Sequence, residues 1–321
     1  MTDLVLSVEN ISKTYKYSSL GFRQQNIFAL DNISFKLRRG QTLAIVGESG
    51  SGKSTLARLL VGCDNPTTGK IFIEEQDVFE LSKSDQKKQF KKIRMVFQNP
   101  YSSLNPHARI GTTLEEPLKI NTNLSSHDRK LAVKHALKRV GLREEHASRF
   151  PHMFSGGQQQ RIAIARALIL NPDVIVADEP LSALDVSVQA QILNLLMDLQ
   201  EELKISYVFI SHDLGVVEHI SDQVLVMYRG KLMEYGEVDQ IFDHSKHPYT
   251  RKLLSSTPSY RHTVNYKFKK IDPEFKKLAN LKSGCVFASR CSYAEEKCID
   301  EVPKTRFLKG HRVTCHWPRE D

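Results

Sequence analysis

The chain has 321 residues, a formal charge of +9 and 40% hydrophobic residues, a length beyond the usual single domain, so one large core with an appendage is expected. No apolar run approaches the ~18 residues that a membrane span needs, since Arg166 interrupts the stretch from Ile162 to Leu170. The positive charge suits nucleic acid, an anionic membrane leaflet or a nucleotide and does not choose among them, and mixed stretches such as Lys83 to Arg94 read as ordinary solvated faces.

The chain opens on alternating Leu4, Leu6 and Val8, the pattern of a half-buried strand and not of a secretory signal, which points to the cytosol. That compartment is reducing, so the five cysteines are not read as a disulfide framework. Tyr15, taken alone, reads as core packing. Leu30, Ile33, Phe35 and Leu37 are spaced for another strand, and Arg39-Gly40 turns into the apolar run from Leu43 to Val46.

The stretch Gly47-Glu48-Ser49-Gly50-Ser51-Gly52-Lys53-Ser54-Thr55 follows, with a helical run from Leu56 to Val61 behind it. It fits the phosphate-binding pattern G-x-x-x-x-G-K-S in its required place between strand and helix. Glycines let the backbone turn so that successive N–H groups meet phosphate oxygens at a helix N-terminus. Lys53 adds a point charge for the β and γ phosphates, and Ser54 a hydroxyl for Mg²⁺.

Pro66 to Gly69 marks a turn before a strand from Lys70 to Ile73, and a strand from Arg94 to Phe97 ends at Gln98. Ser125 to Asp128 resembles a capping box ahead of a helix with Leu131, Val133, Ala136, Leu137 and Val140 on one side and Gly141 at its end. The region from about 99 to 170 therefore reads as a helical insertion, whose last helix opens at Ser155-Gly156-Gly157-Gln158 and closes at Asn171-Pro172. Val174 to Ala177 and Tyr207 to Ile210 are continuous apolar strands that deliver Asp178-Glu179 and His212, with a helix carrying Ile192, Leu195, Leu196, Leu199 and Leu203 between them. Strands alternating with helices, each emptying polar residues at its end, predict a doubly wound α/β sheet. Val224 to Tyr228 and Leu232 to Tyr235 around Arg229-Gly230 predict a hairpin. Beyond about Pro258 the periodicity fades, and the tail reads as a separate small unit, giving domains 1–258 and 259–321.

Phosphoryl transfer to water needs phosphate cradling, a metal, an oriented water and charge stabilisation. Asp178 is placed to hold Mg²⁺ with Ser54, and Glu179 to orient and deprotonate the water; the plain alternative for such a pair is a solvated strand cap. Gln98 could touch metal and water, and His212 could donate to the γ-phosphate, each a weak signal alone.

The ordered set of Gln98, Phe154-Ser155-Gly156-Gly157-Gln158, Val174 to Glu179, Ser182-Ala183-Leu184-Asp185 and His212 resembles the ATP-binding cassette family over residues 4 to 245, with Phe154 standing where the family usually has Leu. The resemblance implies a P-loop fold with a RecA-like core, an N-terminal antiparallel β subdomain and a helical signature subdomain. It also implies a head-to-tail pair of cassettes, each ATP lying between one phosphate loop and the Ser155 to Gln158 signature of the other. By motif position Tyr15 resembles the adenine-stacking aromatic, Asp185 the interface loop, and Gln98 the sensor facing a membrane partner. Gln98 to Pro106, His247 to Leu254 and Gly284 to His316 further resemble the ATPases of bacterial dipeptide and oligopeptide importers, and Glu115 to Leu118 with Pro151 to Phe154 their F-type branch. That resemblance implies a related D-type ATPase, two permease subunits and a periplasmic peptide-binding protein as partners, no nucleic acid, and a peripheral place on the cytoplasmic face of the inner membrane. A cassette acting on DNA or ribosomes would show long coiled coils or a second cassette, neither of which this chain has.

Cys285, Cys291, Cys298 and Cys315 cluster in the tail without the tight C-x₂₋₄-C pairs usual for zinc. Such spacing allows a [4Fe–4S] cluster, as reported for similar importer tails, with zinc and reduced, unligated thiols as the alternatives. Cys63, at the end of the first helix, is expected to be buried.

Overall fold

The computed structural model describes residues 3–19, 22–99, 103–256, 270–281, 283–308 and 310–319. Two sheets organise them. A four-stranded sheet, in the order β2-β1-β4-β5, is built from β1 (Leu4–Ser19), β2 (Phe22–Arg38), β4 (Thr68–Ile73) and β5 (Gln76–Asp77), all antiparallel neighbours. An eight-stranded sheet runs β11-β12-β10-β9-β3-β8-β7-β6. Its parallel part is β6 (Ile93–Val96), β7 (Val174–Asp178), β8 (Ser206–Ile210), β3 (Thr42–Val46) and β9 (Gln223–Tyr228). The strands β10 (Lys231–Glu237), β12 (His311–Thr314) and β11 (Thr305–Leu308) extend it antiparallel.

Strands β3, β7 and β8 are buried at every position, as expected for strands covered on both faces by crossover helices. Strand order departs from chain order at β3, which lies between β8 and β9, and the carboxyl ends there open toward one edge, where ligands of such sheets bind. One apolar cluster joins the two sheets through Val8, Ile33, Ile45 and Leu56. A second carries the helical insertion, in which the helices Ile110–Asn121, Ser126–Arg139 and Gly156–Leu168 pack against the back of β7 and β8.

Two local expectations are corrected. Leu131 is 45% exposed, because it lies two residues from Val133 and so about 200° away from the stripe formed by Val133, Ala136, Leu137 and Val140. The polar stretch before β6 is a helix, Lys83–Phe90, capped by the Ser82 hydroxyl accepting from Asp85 N–H, and it buries none of its own residues, in keeping with the solvated face expected there. Cys63 is exposed, since the first helix ends at Leu60 and Gly62, at φ 71°, turns the chain outward.

The tail is not independent of the main body. Strand β12 pairs with β10, and Phe287 shares a third apolar cluster with Val226, Tyr228, Met233 and Tyr249. A segment this short cannot bury a core of its own, so it completes itself on the main sheet. The expected boundary at 258 and 259 lies outside the described residues.

Candidate nucleotide-binding site

The phosphate loop leaves β3 and enters the helix Lys53–Leu60. A Cβ at Gly47, where φ is 151°, would meet the Met227 carbonyl oxygen at 2.2 Å, so glycine is required for the close approach of loop and β9. Gly230 N–H donates to the Ser51 carbonyl, fixing the loop to the β9–β10 hairpin. Lys53 Nζ donates to the carbonyls of Gly47 at 2.8 Å and Glu48 at 3.1 Å. Burial pushes its pKa down, against the pull of Glu179 and Asp178. Burial likewise pushes Asp178 up, opposed chiefly by the hydrogen bond that Ser54 donates to its carboxylate. Two of the three expected Mg²⁺ ligands, Ser54 and Asp178, are thus side by side, as a hard oxygen donor pair should be.

A cavity of about 870 Å³ gathers Gly47 to Thr55 with Gln98, Glu179 and His212. Gln98 Nε2 donates to Glu179 Oε2 at 2.9 Å, and His212 Nδ1 stands 3.3 Å from the same oxygen. Glu179 sits at φ 47°, a left-handed conformation that costs a non-glycine residue on the order of 1–3 kcal/mol and is held by its N–H donating to the Ile210 carbonyl on β8. That strain turns the carboxylate out of the strand and into the cavity. The arrangement can bind a triphosphate with a divalent cation and place a base beside it.

Other expected residues stand elsewhere. Tyr15 is not among the described residues lining the cavity: its OH donates to Asp64 at 2.8 Å and its ring lies under Lys13 Nζ, while Ile27 and the 68% exposed Phe28 line the cavity wall. Ser155 to Gln158 are not among the described residues lining the cavity. They form a capping box at the start of the helix Gly156–Leu168, with the Ser155 hydroxyl exposed. A Cβ at Gly157 would lie 2.5 Å from Val188 Cγ1, so this glycine lets the signature helix pack against the helix Val186–Leu203. Asp185 caps that second helix without a side-chain hydrogen bond and, with the 81% exposed Val186, faces solvent.

Cys285, Cys291, Cys298 and Cys315 do converge, lining one cavity of about 10 Å³. That is space for no more than one water, so as packed the sulfurs behave as apolar side chains. Burial pushes the thiols of Cys291 and Cys315 up to about 12 and raises those of Cys285 and Cys298. A metal ligand must be a thiolate. Among the described residues no group of three or more His, Cys, Asp or Glu is arranged to hold a metal ion. The four thiols suit an iron–sulfur cluster as a donor set, and the packed lobe does not fit one without opening.

Sequence reasoning missed the partners of Glu48. Arg290 NH1 and NH2 donate to its two carboxylate oxygens at 2.6 and 2.8 Å, holding its pKa below the usual carboxylate range. Glu48 N–H donates to Tyr249 OH at 3.0 Å. No pattern could have linked positions 242 residues apart.

The chain matches the family model described as ABC transporter over residues 30–182, and that of the oligopeptide/dipeptide transporter C-terminal region over 233–298. It is 50% identical to the dipeptide transport ATP-binding protein DppF of Escherichia coli, covering 97% of this chain and 93% of that protein. With the protein of the same description from Haemophilus influenzae it shares 54% identity over 91% of this chain and 90% of the relative. Among solved structures, a dimeric post-hydrolysis state of the ATP-binding cassette MJ0796 bound to ADP and Pi aligns with a TM-score of 0.64 at 33% identity, covering 73% of this chain and 98% of that one.

Proposed function

The chain belongs to the ATP-binding cassette transporter family, as an ATP-hydrolysing subunit of a peptide importer, and from that premise we propose how its residues and partners divide the work. It pairs head to tail with a D-type ATPase, beneath two permease subunits that receive peptide from a periplasmic binding protein, and works peripherally at the cytoplasmic face of the inner membrane. No helix among the described residues is long and apolar enough to cross that membrane itself.

One observation supports the paired site above all. The cavity that gathers the phosphate loop, Gln98, Glu179 and His212 does not include Ser155 to Gln158 among its described lining, so a single chain offers two separate half-sites. Ser155 to Gln158 form a second helix N-terminus, suited to meet the γ-phosphate on a partner's loop, with Asp185 at the seam. Tyr15 remains the proposed support for adenine, together with the wall at Phe28.

In the closed pair Lys53 and the loop N–H groups hold the β and γ phosphates. Mg²⁺ held by Ser54, Gln98 and Asp178 would supply charge neutralisation. Glu179 accepts the proton of a water whose oxygen bonds to the γ-phosphorus, while the bond to the bridging oxygen breaks and its electron pair leaves with ADP. His212 donates to the γ-phosphate. ADP lacks the group that the partner's signature grips, so hydrolysis reopens the pair, and that differential affinity drives the permeases. We also propose that the tail lobe opens to take up a [4Fe–4S] cluster on its four cysteines, a reading supported by their convergence on one cavity, which is too small for the cluster as packed. Iron and sulfide after anaerobic purification test it, and stoichiometric zinc or metal-free protein of equal stability overturns it.

Co-purification of the tagged chain from membranes, followed by ATP turnover with and without peptide-loaded binding protein, tests the whole reading. The expected result is a complex with permeases and a second ATPase whose turnover rises with loaded binding protein; isolation with ribosomes or DNA and no membrane partner overturns it.

A further inference from the structure

The phosphate loop is gripped from outside the nucleotide fold. Glu48, the first residue after Gly47, is held at its carboxylate by the Arg290 fork at 2.6 and 2.8 Å and at its backbone N–H by Tyr249 OH at 3.0 Å. Its carbonyl in turn accepts from Lys53 Nζ at 3.1 Å. Arg290 comes from the tail, between Cys285 and Cys291, and also donates to Tyr228 OH at 3.2 Å. Its guanidinium stands over the rings of Tyr228 and Phe287, at 5.6 and 5.9 Å, and Tyr228, Tyr249 and Phe287 pack on one another with centroids 4.8 to 5.4 Å apart. A rigid aromatic platform therefore aims a planar fork at a carboxylate, the geometry in which arginine is bidentate and lysine is not.

We propose that the tail fixes the phosphate loop in its ATP-receiving shape through Arg290 on Glu48, so that order in the tail and affinity for ATP rise and fall together. Arg290 is a positioning residue: it acts on ATP through Glu48 and the loop backbone, not by contact. Because coupling free energies are reciprocal, a nucleotide that selects the fixed loop must also steady the tail. This rests on the loop being the ATP site, and the experiment separates the two.

MgATP is titrated calorimetrically into the full chain and its variants, and hydrogen exchange is followed over residues 284–300. Arg290→Ala and Glu48→Gln each weaken MgATP binding about 3- to 10-fold, the range for a half-exposed but bidentate pair, and Arg290→Lys recovers only part. The double variant binds no more weakly than either single one, because Arg290 acts through Glu48. MgATP slows exchange over 284–300 in the unaltered chain and not in Arg290→Ala. Unchanged affinity in both single variants, additive losses in the double variant, or the same slowing of exchange without Arg290 would each overturn the tie. Should Arg290→Ala not fold, Glu48→Gln alone decides. Normal MgATP binding by Lys53→Ala would instead sink the reading of the loop as the ATP site.

Discussion

Gln98 and Glu179, 81 positions apart, meet with the Gln98 amide donating to the Glu179 carboxylate at 2.9 Å. The first residue ends the strand region of β6 and the second that of β7, and these strands are parallel neighbours in the sheet. The residues proposed as sensor and as base are therefore one hydrogen bond apart.

Glu179→Gln keeps the shape and removes the proposed base. ATP turnover of the assembled complex should fall by about 10²- to 10⁴-fold, or about 3–5 kcal/mol of barrier, while MgATP binding stays within a few-fold and closed pairs accumulate. Phosphate release and size-exclusion chromatography check this, and unchanged turnover would remove Glu179 from the base role.

Gly157→Ala places a methyl 2.5 Å from Val188 Cγ1. Overpacking of about 1–3 kcal/mol, offset by up to about 1 kcal/mol of better helix propensity, should leave a net loss near 1 kcal/mol in urea unfolding. Val188→Ala should then cost less in the Gly157→Ala background than in the unaltered chain. Equal costs would mean that the two helices do not meet through this glycine.

Phe287 is 1% exposed against Tyr228 and Tyr249, so Phe287→Ala should destabilise the whole chain by about 3–5 kcal/mol, read in a single cooperative urea transition. A separate, earlier transition confined to the tail would show instead that the tail folds as its own unit.

Glu234 is fully buried and accepts from the N–H groups of Lys246 and His247 at 2.6 and 3.0 Å, yet burial pushes its pKa from 4.5 up to about 7. An acid whose pKa is raised by folding binds more protons in the folded state, so stability is full below pH 4.5 and declines as pH rises through about 7. His247, which burial pushes down to about 3, acts in the opposite sense below its ordinary 6.5, so the test is a comparison of urea stabilities of wild type and Glu234→Gln across that window. The variant should lose stability less steeply from pH 4.5 to 7; parallel curves would exclude Glu234 as the titrating group.

Much of the site could be read from sequence because its parts are local. A phosphate loop is one strand, one turn and one helix start, and its glycines and lysine must fall at fixed offsets to shape a single stretch of backbone. The strand-end position of Asp178 and Glu179 follows likewise from five consecutive buried residues. The signature is a local capping box, complete within Ser155 to Gln158.

What the sequence by itself determined, then, is the local form of the phosphate loop, of the strand that ends at Asp178 and of the capping box at Ser155, since backbone dihedrals and hydrogen bonds within a few residues dictate them. What only the tertiary structure decided is which distant groups touch: Arg290 on Glu48, Tyr15 on Asp64, β12 against β10, Phe28 on the cavity wall. Those contacts depend on strand order and on how the tail packs, and a side chain carries no local mark of a partner hundreds of residues away.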